Sequence, residues 1–367
     1  MQMAICQSLG CLGESSKAMN QPIFWMMAAA LPAASVFIFA YAVQRFAFAS
    51  KIVDEPSGGR KIHQKTTALL GGWAVGIPFV ILVAGLDWYG IFFELSNGRL
   101  QPLQISGILG GACLLLIGGG LDDRFNLKPV LQICFPLAAS ILVALTGTRI
   151  SHVTNPLDGT PFILPFQTLL TIAWLLGVTY ATKLMDGVDG LVTGQTVIGS
   201  SVIAALALSA TYYQPAVALI ALMTASAFAG FLPHNIHPAK QFLGESGSTL
   251  AGFLLGTFSI LGSTKLATGL MALALPLTDA AIVISGRLMR GTSPFKGDDT
   301  HLHFKLLKAG FSQRQVVALM WGLALSCGIA ALFLQTRGKL FLIVLLLLVT
   351  AGLSFVAGKK SFTKSSL

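Results

Sequence analysis

The sequence predicts an all-α, polytopic membrane helix bundle of ten or eleven transmembrane helices. Three observations carry this reading. Of the 367 residues, 54% are hydrophobic and only 10% are charged, whereas a soluble domain carries roughly 25% charged residues; the mean hydropathy is +0.77. Apolar stretches recur at close to the ~20 residues that an α-helix needs to cross a bilayer core. Lys and Arg gather in alternate connections between those stretches, as they do in membrane proteins. A chain this poor in charge cannot coat soluble globules, which argues against a soluble enzyme, a disordered chain and a nucleic-acid module.

Eleven stretches are read, at about 22–44, 68–86, 104–120, 129–148, 166–182, 191–210, 216–233, 248–264, 266–286, 315–335 and 339–358. The domain organisation is an N-terminal lead (1–21), a transmembrane domain (22–358) and a tail (359–367). The first stretch, from Pro22, is long enough to span and has no charged n-region before it, so it reads as a span and not as a signal peptide. Several stretches carry Gly, as membrane helices do where they pack closely. Of the five cysteines, Cys113, Cys134 and Cys327 sit in apolar runs, which argues against a disulfide framework. No internal repeat is evident, which weakens an inverted-repeat transporter reading.

Orientation follows from the basic residues. With the N-terminus outside, the inner segments are 45–67, 121–128, 183–190, 234–247, 287–314 and 359–367, and they hold 18 of the 24 Lys and Arg residues. That split predicts N-out and C-in. The acids follow the bases: Asp54, Glu55, Asp122, Asp123, Asp186, Asp189, Glu245, Asp298 and Asp299 fall in the same inner segments, and Asp279 lies toward the inner end of the ninth stretch. A positive-inside bias does not require acids on that side, so their gathering suggests a polar site at the cytoplasmic face.

Five constellations lie there. Asp122-Asp123 closes the third stretch; neighbouring carboxylates share a proton or a cation readily, which suits Mg²⁺ or proton abstraction. A capping role for either acid is the plain alternative. Lys183-Leu-Met-Asp186-Gly-Val-Asp189-Gly190 places two acids three apart, each before a glycine that lets a phosphate or backbone approach; a local Lys183–Asp186 ion pair is the alternative. Gly244-Glu245-Ser246-Gly247-Ser248 enters the eighth stretch, where its N–H groups could face an anion or be capped by Ser246 or Ser248, and Glu245 could ligate a metal. Asp298-Asp299-Thr-His301-Leu-His303-Phe-Lys305 sets two histidines among cations that suit a nucleotide diphosphate; zinc is disfavoured, with no cysteine nearby. Arg60-Lys61-Ile-His63, ahead of Gly71-Gly72, adds a cationic patch.

With these motifs in order, from about Arg60 to Arg314, the chain resembles the polyprenyl-phosphate N-acetylhexosamine-1-phosphate transferases, the glycosyltransferase family that includes phospho-MurNAc-pentapeptide translocase. The run His301-Leu-His303 through Gly310-Phe-Ser-Gln-Arg-Gln315 is closer to the undecaprenyl-phosphate GlcNAc-1-phosphate branch, and Asp279, Arg287 and Ser293-Pro294-Phe295 stand where that branch has them. The resemblance implies a multi-pass enzyme of the bacterial cytoplasmic membrane. It would transfer an N-acetylhexosamine-1-phosphate from a UDP-sugar to undecaprenyl phosphate and release UMP, as the first lipid-linked step of a surface polysaccharide. Mg²⁺ is the implied cofactor, with Mn²⁺ as substitute. The family is often dimeric, and a nucleic-acid partner is not expected. By the family pattern, Asp122, Asp123 and Asp186 serve the chemistry, Asp186 and Glu245 the metal, and Arg60, Lys61, His63, Lys183, Asp189, His301, His303 and Lys305 the substrates. The sequence departs from that pattern where Tyr180 and Lys183 replace two asparagines, Glu245 replaces an aspartate, Phe304 a histidine and Ala68 a proline. These changes fit a divergent donor, or a member that binds lipid phosphate or a partner without turnover.

Overall fold

The computed structural model describes residues 21–56, 65–155, 160–210, 212–261, 273–292 and 300–365. Each of the eleven apolar stretches overlaps a described helix. In chain order, with two short additions, these are α1 (Pro22–Ala49), α2 (Gly71–Trp88), α3 (Ile91–Leu95), α4 (Pro102–Phe125), α5 (Pro129–Leu145), α6 (Gln167–Met185), α7 (Leu191–Leu208), α8 (Pro215–Asn235), α9 (Gly244–Leu261), α10 (Ala274–Met289), α11 (Leu302–Lys308), α12 (Gln313–Phe333) and α13 (Thr336–Ser365). Eight of the described helices are long and apolar enough to cross a membrane. Two short antiparallel ribbons, β1 (Val53–Asp54) with β2 (Thr67–Ala68) and β3 (His152–Thr154) with β4 (Pro161–Ile163), complete the described elements.

Local chemistry sets the helix starts. Proline begins α1, α4, α5 and α8, where its missing N–H costs nothing and its fixed φ suits the first turn. Ser312 and Gln315 cap the start of α12 reciprocally. The ends run further than hydropathy suggests. The fourth helix continues through Asp122 and Asp123 until Asn126 turns into the left-handed region at φ 49°. The sixth carries Lys183 in its last turn. These residues, expected in loops, therefore sit on rigid helix ends. The last helix likewise continues past 358, into the segment read as a tail.

The centre of the bundle is α7, α8 and α9, with α4 and α6 packed against α9, and α1 and α7 against α8. The outermost helices expose rows of large apolar side chains, such as Ile23, Met26 and Ile38 on α1 and Phe341, Val344 and Leu348 on α13. Apolar surface this extensive marks a lipid or protein contact and not a water-facing wall.

Glycine sets how closely the central helices approach. A Cβ on Gly119 would lie 2.2 Å from Cα of Ser246, and one on Gly72 would lie 2.2 Å from the Gly247 nitrogen. The start of α2 is also fixed by hydrogen bonds: Gly71 N–H donates to Phe242 O at 3.0 Å and Gly72 N–H to Leu243 O at 2.7 Å, which satisfies two donors a helix N-terminus leaves orphaned. Together these contacts hold the segment before α9 against α2 and α4. Gly119→Ala is therefore expected to lower thermal stability by about 1–3 kcal/mol, the scale of an overpacked core, read as a lower unfolding midpoint in detergent or nanodiscs.

Candidate functional site

Five helix termini meet at one end of the bundle: the C-terminal ends of α4, α6 and α8 and the N-terminal ends of α7 and α9. They surround a cavity of about 450 Å³. Among the described residues, six carboxyl groups, those of Asp54, Asp122, Asp123, Asp186, Asp189 and Glu245, line it with one cation, Lys183. Asp122, Asp123, Lys183, Asp186, Asp189 and Glu245, expected from three motifs spread over 124 residues, are thus brought together. His301, His303 and Lys305 are not on the lining, although Phe304 is. Arg60, Lys61 and His63, with Asp298 and Asp299, lie outside the described residues.

Each carboxylate has a distinct role. Asp123 Oδ1 accepts from the Glu245 N–H at 2.9 Å, so it caps the start of α9 from a neighbouring helix. Its oxygen answers an orphan donor of the helix start, while burial, opposed by that hydrogen bond and reinforced by the charges of Glu245, Asp122 and Asp186, pushes its pKa up to about 8. Gly244 makes this approach available: its φ is +74°, and a Cβ would lie 2.5 Å from Asp123 Oδ2. Neither Ser246 nor Ser248 acts as the cap; Ser248 Oγ donates back to Gly244 O at 2.9 Å.

Asp122 Oδ1 accepts from the Leu127 N–H at 2.8 Å and from Gln132 Nε2 at 2.9 Å. Gln132 then accepts from Lys183 Nζ at 3.0 Å. Lys183 meets Glu245 Oε1 at 2.6 Å, with only 20% and 15% of the two side chains exposed. The local Lys183–Asp186 pair considered from sequence is replaced by this contact across helices. Asp189 Oδ2 accepts from Ala239 N–H at 3.1 Å and pairs with His237 Nδ1 at 2.7 Å. Below it, Asn235 accepts from Gly190 N–H and Thr193 Oγ1 and donates to Gln241 O, which ties the 186–190 turn to the 236–243 loop.

Asp186 differs from the rest. Among the described residues no hydrogen bond or ion pair reaches its carboxylate. Burial, then the charges of Glu245 and Asp189, push its pKa up to about 7. An acid in this state is one that a cation would relieve. The donors are all oxygens, which suits a hard divalent ion. Among the described residues no three His, Cys, Asp or Glu side chains approach closely enough to hold an ion by themselves.

Sequence reasoning passed over Gln132, Asn235 and His237. A lone glutamine in the apolar run Val130-Leu-Gln-Ile-Cys134 was the available signal for the first. The other two had none, because their partners are distant in sequence.

The Lys183–Glu245 pair yields a prediction. Lys183→Met leaves a buried carboxylate unpaired and is expected to cost about 3 kcal/mol. Adding Glu245→Met should restore most of the loss, read from unfolding midpoints of the two single variants and the double.

Comparison with known proteins bears on what this cavity does. The model for glycosyl transferase family 4 matches residues 105–263. A probable undecaprenyl-phosphate N-acetylglucosaminyl 1-phosphate transferase of Bacillus subtilis is 30% identical over 345 residues, covering 90% of this chain and 92% of the relative. The phospho-N-acetylmuramoyl-pentapeptide-transferase of Staphylococcus aureus is 30% identical over 309 residues, 80% and 92% of the two chains. The undecaprenyl-phosphate alpha-N-acetylglucosaminyl 1-phosphate transferase of Escherichia coli O157:H7 is 26% identical over 330 residues, 85% of each.

Proposed function

The chain belongs to glycosyl transferase family 4, and from that premise we propose that it transfers an N-acetylhexosamine-1-phosphate, GlcNAc-1-phosphate or a related sugar phosphate, from a UDP-sugar to undecaprenyl phosphate. The enzyme sits in a bacterial cytoplasmic membrane with ten or eleven spans, N-out and C-in, and the cavity opens to the cytoplasm. The observation that carries the reading is the Asp186 carboxylate, without a partner among the described residues, in a cavity of acids at the end of an apolar bundle. The basic residues on the same side support the orientation.

An oxygen of the lipid phosphate attacks the β-phosphorus of the UDP-sugar. A new P–O bond forms, the bond to the bridging oxygen breaks, and UMP leaves with the electron pair. Two anions must meet, so the site has to offset their repulsion. Asp186 would hold Mg²⁺, or Mn²⁺ in its place, with Glu245 and Asp123 adjacent, and the ion would supply that positive charge. Lys183 already faces the cavity and adds a fixed positive charge. Asp123 and Asp122 hold α4, α5 and α9 in register, so that Asp186 keeps its place relative to the incoming phosphates; misplacement by about 1 Å is costly to such chemistry. The lipid acceptor reaches the site along exposed apolar residues next to Asp122: Leu121 and Phe125 on α4, Val130 and Leu131 on α5. The likeness to N-acetylglucosaminyl 1-phosphate transferases supports GlcNAc as the sugar.

A second reading, binding without turnover, draws on one observation: Lys183 occupies Glu245, an acid expected at the metal. One assay separates the two. Purified protein with undecaprenyl phosphate and a panel of UDP-N-acetylhexosamines is expected to release UMP in Mg²⁺ and to stop in EDTA. Asp186→Asn should lower kcat by about 10²-fold or more, the scale of a lost charge-stabilising group. Silence of folded wild-type protein across the panel would favour binding without turnover.

A further inference from the structure

Asp279 stands apart from the cavity, on α10, and is 1% exposed. A buried carboxylate needs partners, and both its oxygens have them. Oδ2 meets His301 Nδ1 at 2.8 Å, and Oδ1 accepts from the Leu302 N–H at 2.9 Å. Leu302 is the first residue of α11, so one carboxylate holds a ring and a helix-start N–H of the same segment. With Nδ1–H as the donor, a neutral His301 has only Nε2 as an acceptor, and this atom is buried without a partner.

The segment so held leans on the site. The His301 ring stacks on His303 at 5.7 Å and 12°, and His303 packs on Phe304 at 4.3 Å. Burial lowers the pKa of His303 to about 4, so it is a neutral ring in this contact. A Cβ on Gly187 would lie 2.7 Å from His303 Nε2 and 2.7 Å from Phe304 Cζ. Gly187 directly follows Asp186. The two histidines are only 3% and 0% exposed, which leaves no surface of either for a substrate in the cavity.

We propose that Asp279 is a positioning residue for this site: by clamping His301 and Leu302 it sets His303 and Phe304 against Gly187 and so fixes the carboxylate of Asp186. The histidines then form a buried brace and do not touch the diphosphate. Where it concerns turnover, the proposal rests on the transferase reading above.

The test uses full-length protein in nanodiscs and two readouts, hydrogen exchange of peptides covering residues 183–190 and UMP-release kinetics. In Asp279→Asn the new amide can still accept from Leu302 but presents N–H to Nδ1 of His301, which forces the other tautomer. Exchange across 183–190 is expected to rise. The kcat should fall about tenfold or more, as when outer partners of a site are lost, while the KM for the UDP-sugar changes less than about threefold. His301→Asn, whose amide can still donate to Asp279, is expected to retain more kcat than His301→Ala; this comparison decides if Asp279→Asn does not fold. Unchanged exchange in Asp279→Asn overturns the proposal, as does faster exchange with normal kcat. A rise in KM alone also overturns it, in favour of direct substrate contact by His301. If the wild type turns over no donor, the transferase reading fails by itself, and the exchange result still decides whether the clamp reaches Asp186.

Discussion

The carboxylate of Asp123 at the start of α9 is the constraint on which the site depends. It joins the end of one central helix to the beginning of another through the Glu245 N–H. The contact needs a neighbour with no side chain and a left-handed backbone, which Gly244 provides. It also needs two helices that nearly touch, which Gly119 permits against Ser246. Once α4 and α9 are fixed in this way, the side chains of Asp122 and Glu245 have little freedom in where they emerge. The extended segment before α9 is then held by the first turn of α2, so three helices share one local geometry.

Around this joint the charges are divided between scaffold and opening. Asp122, Asp123 and Asp189 spend oxygens on backbone or amide donors, which fixes where their side chains lie. Glu245 is met by an ammonium. Asp186 alone faces the cavity with nothing from the described chain to answer it. The acids resemble one another in sequence, but their surroundings make most of them structural and leave one available.

The apolar stretches were legible in the sequence because bilayer-length runs need no partner to be recognised. Their polar ends were not. Hydropathy stops at Gly120 or Thr182, while the backbone continues through Asp122-Asp123 and Lys183 until Asn126 and the Asp186 turn end it. The motif acids were visible as short local patterns, and six of the residues so identified share one cavity. The bonds between them were hidden, since Gln132 with Lys183, Asp189 with His237 and Asp279 with His301 are separated by 51, 48 and 22 positions. The histidines illustrate the limit: their residue type suggested contact with a ligand, and only the packing around them shows that they are enclosed.

The Lys183–Glu245 contact has a consequence for descent. The two residues lie on different helices, and each is unusual for its motif when taken alone. Joined at 2.6 Å, they constrain one another's history. A lineage that changed either one first would pass through a protein with an unanswered, mostly buried charge at the end of the bundle, a state several kcal/mol worse by general experience. A change at one member therefore favours a compensating change at the other.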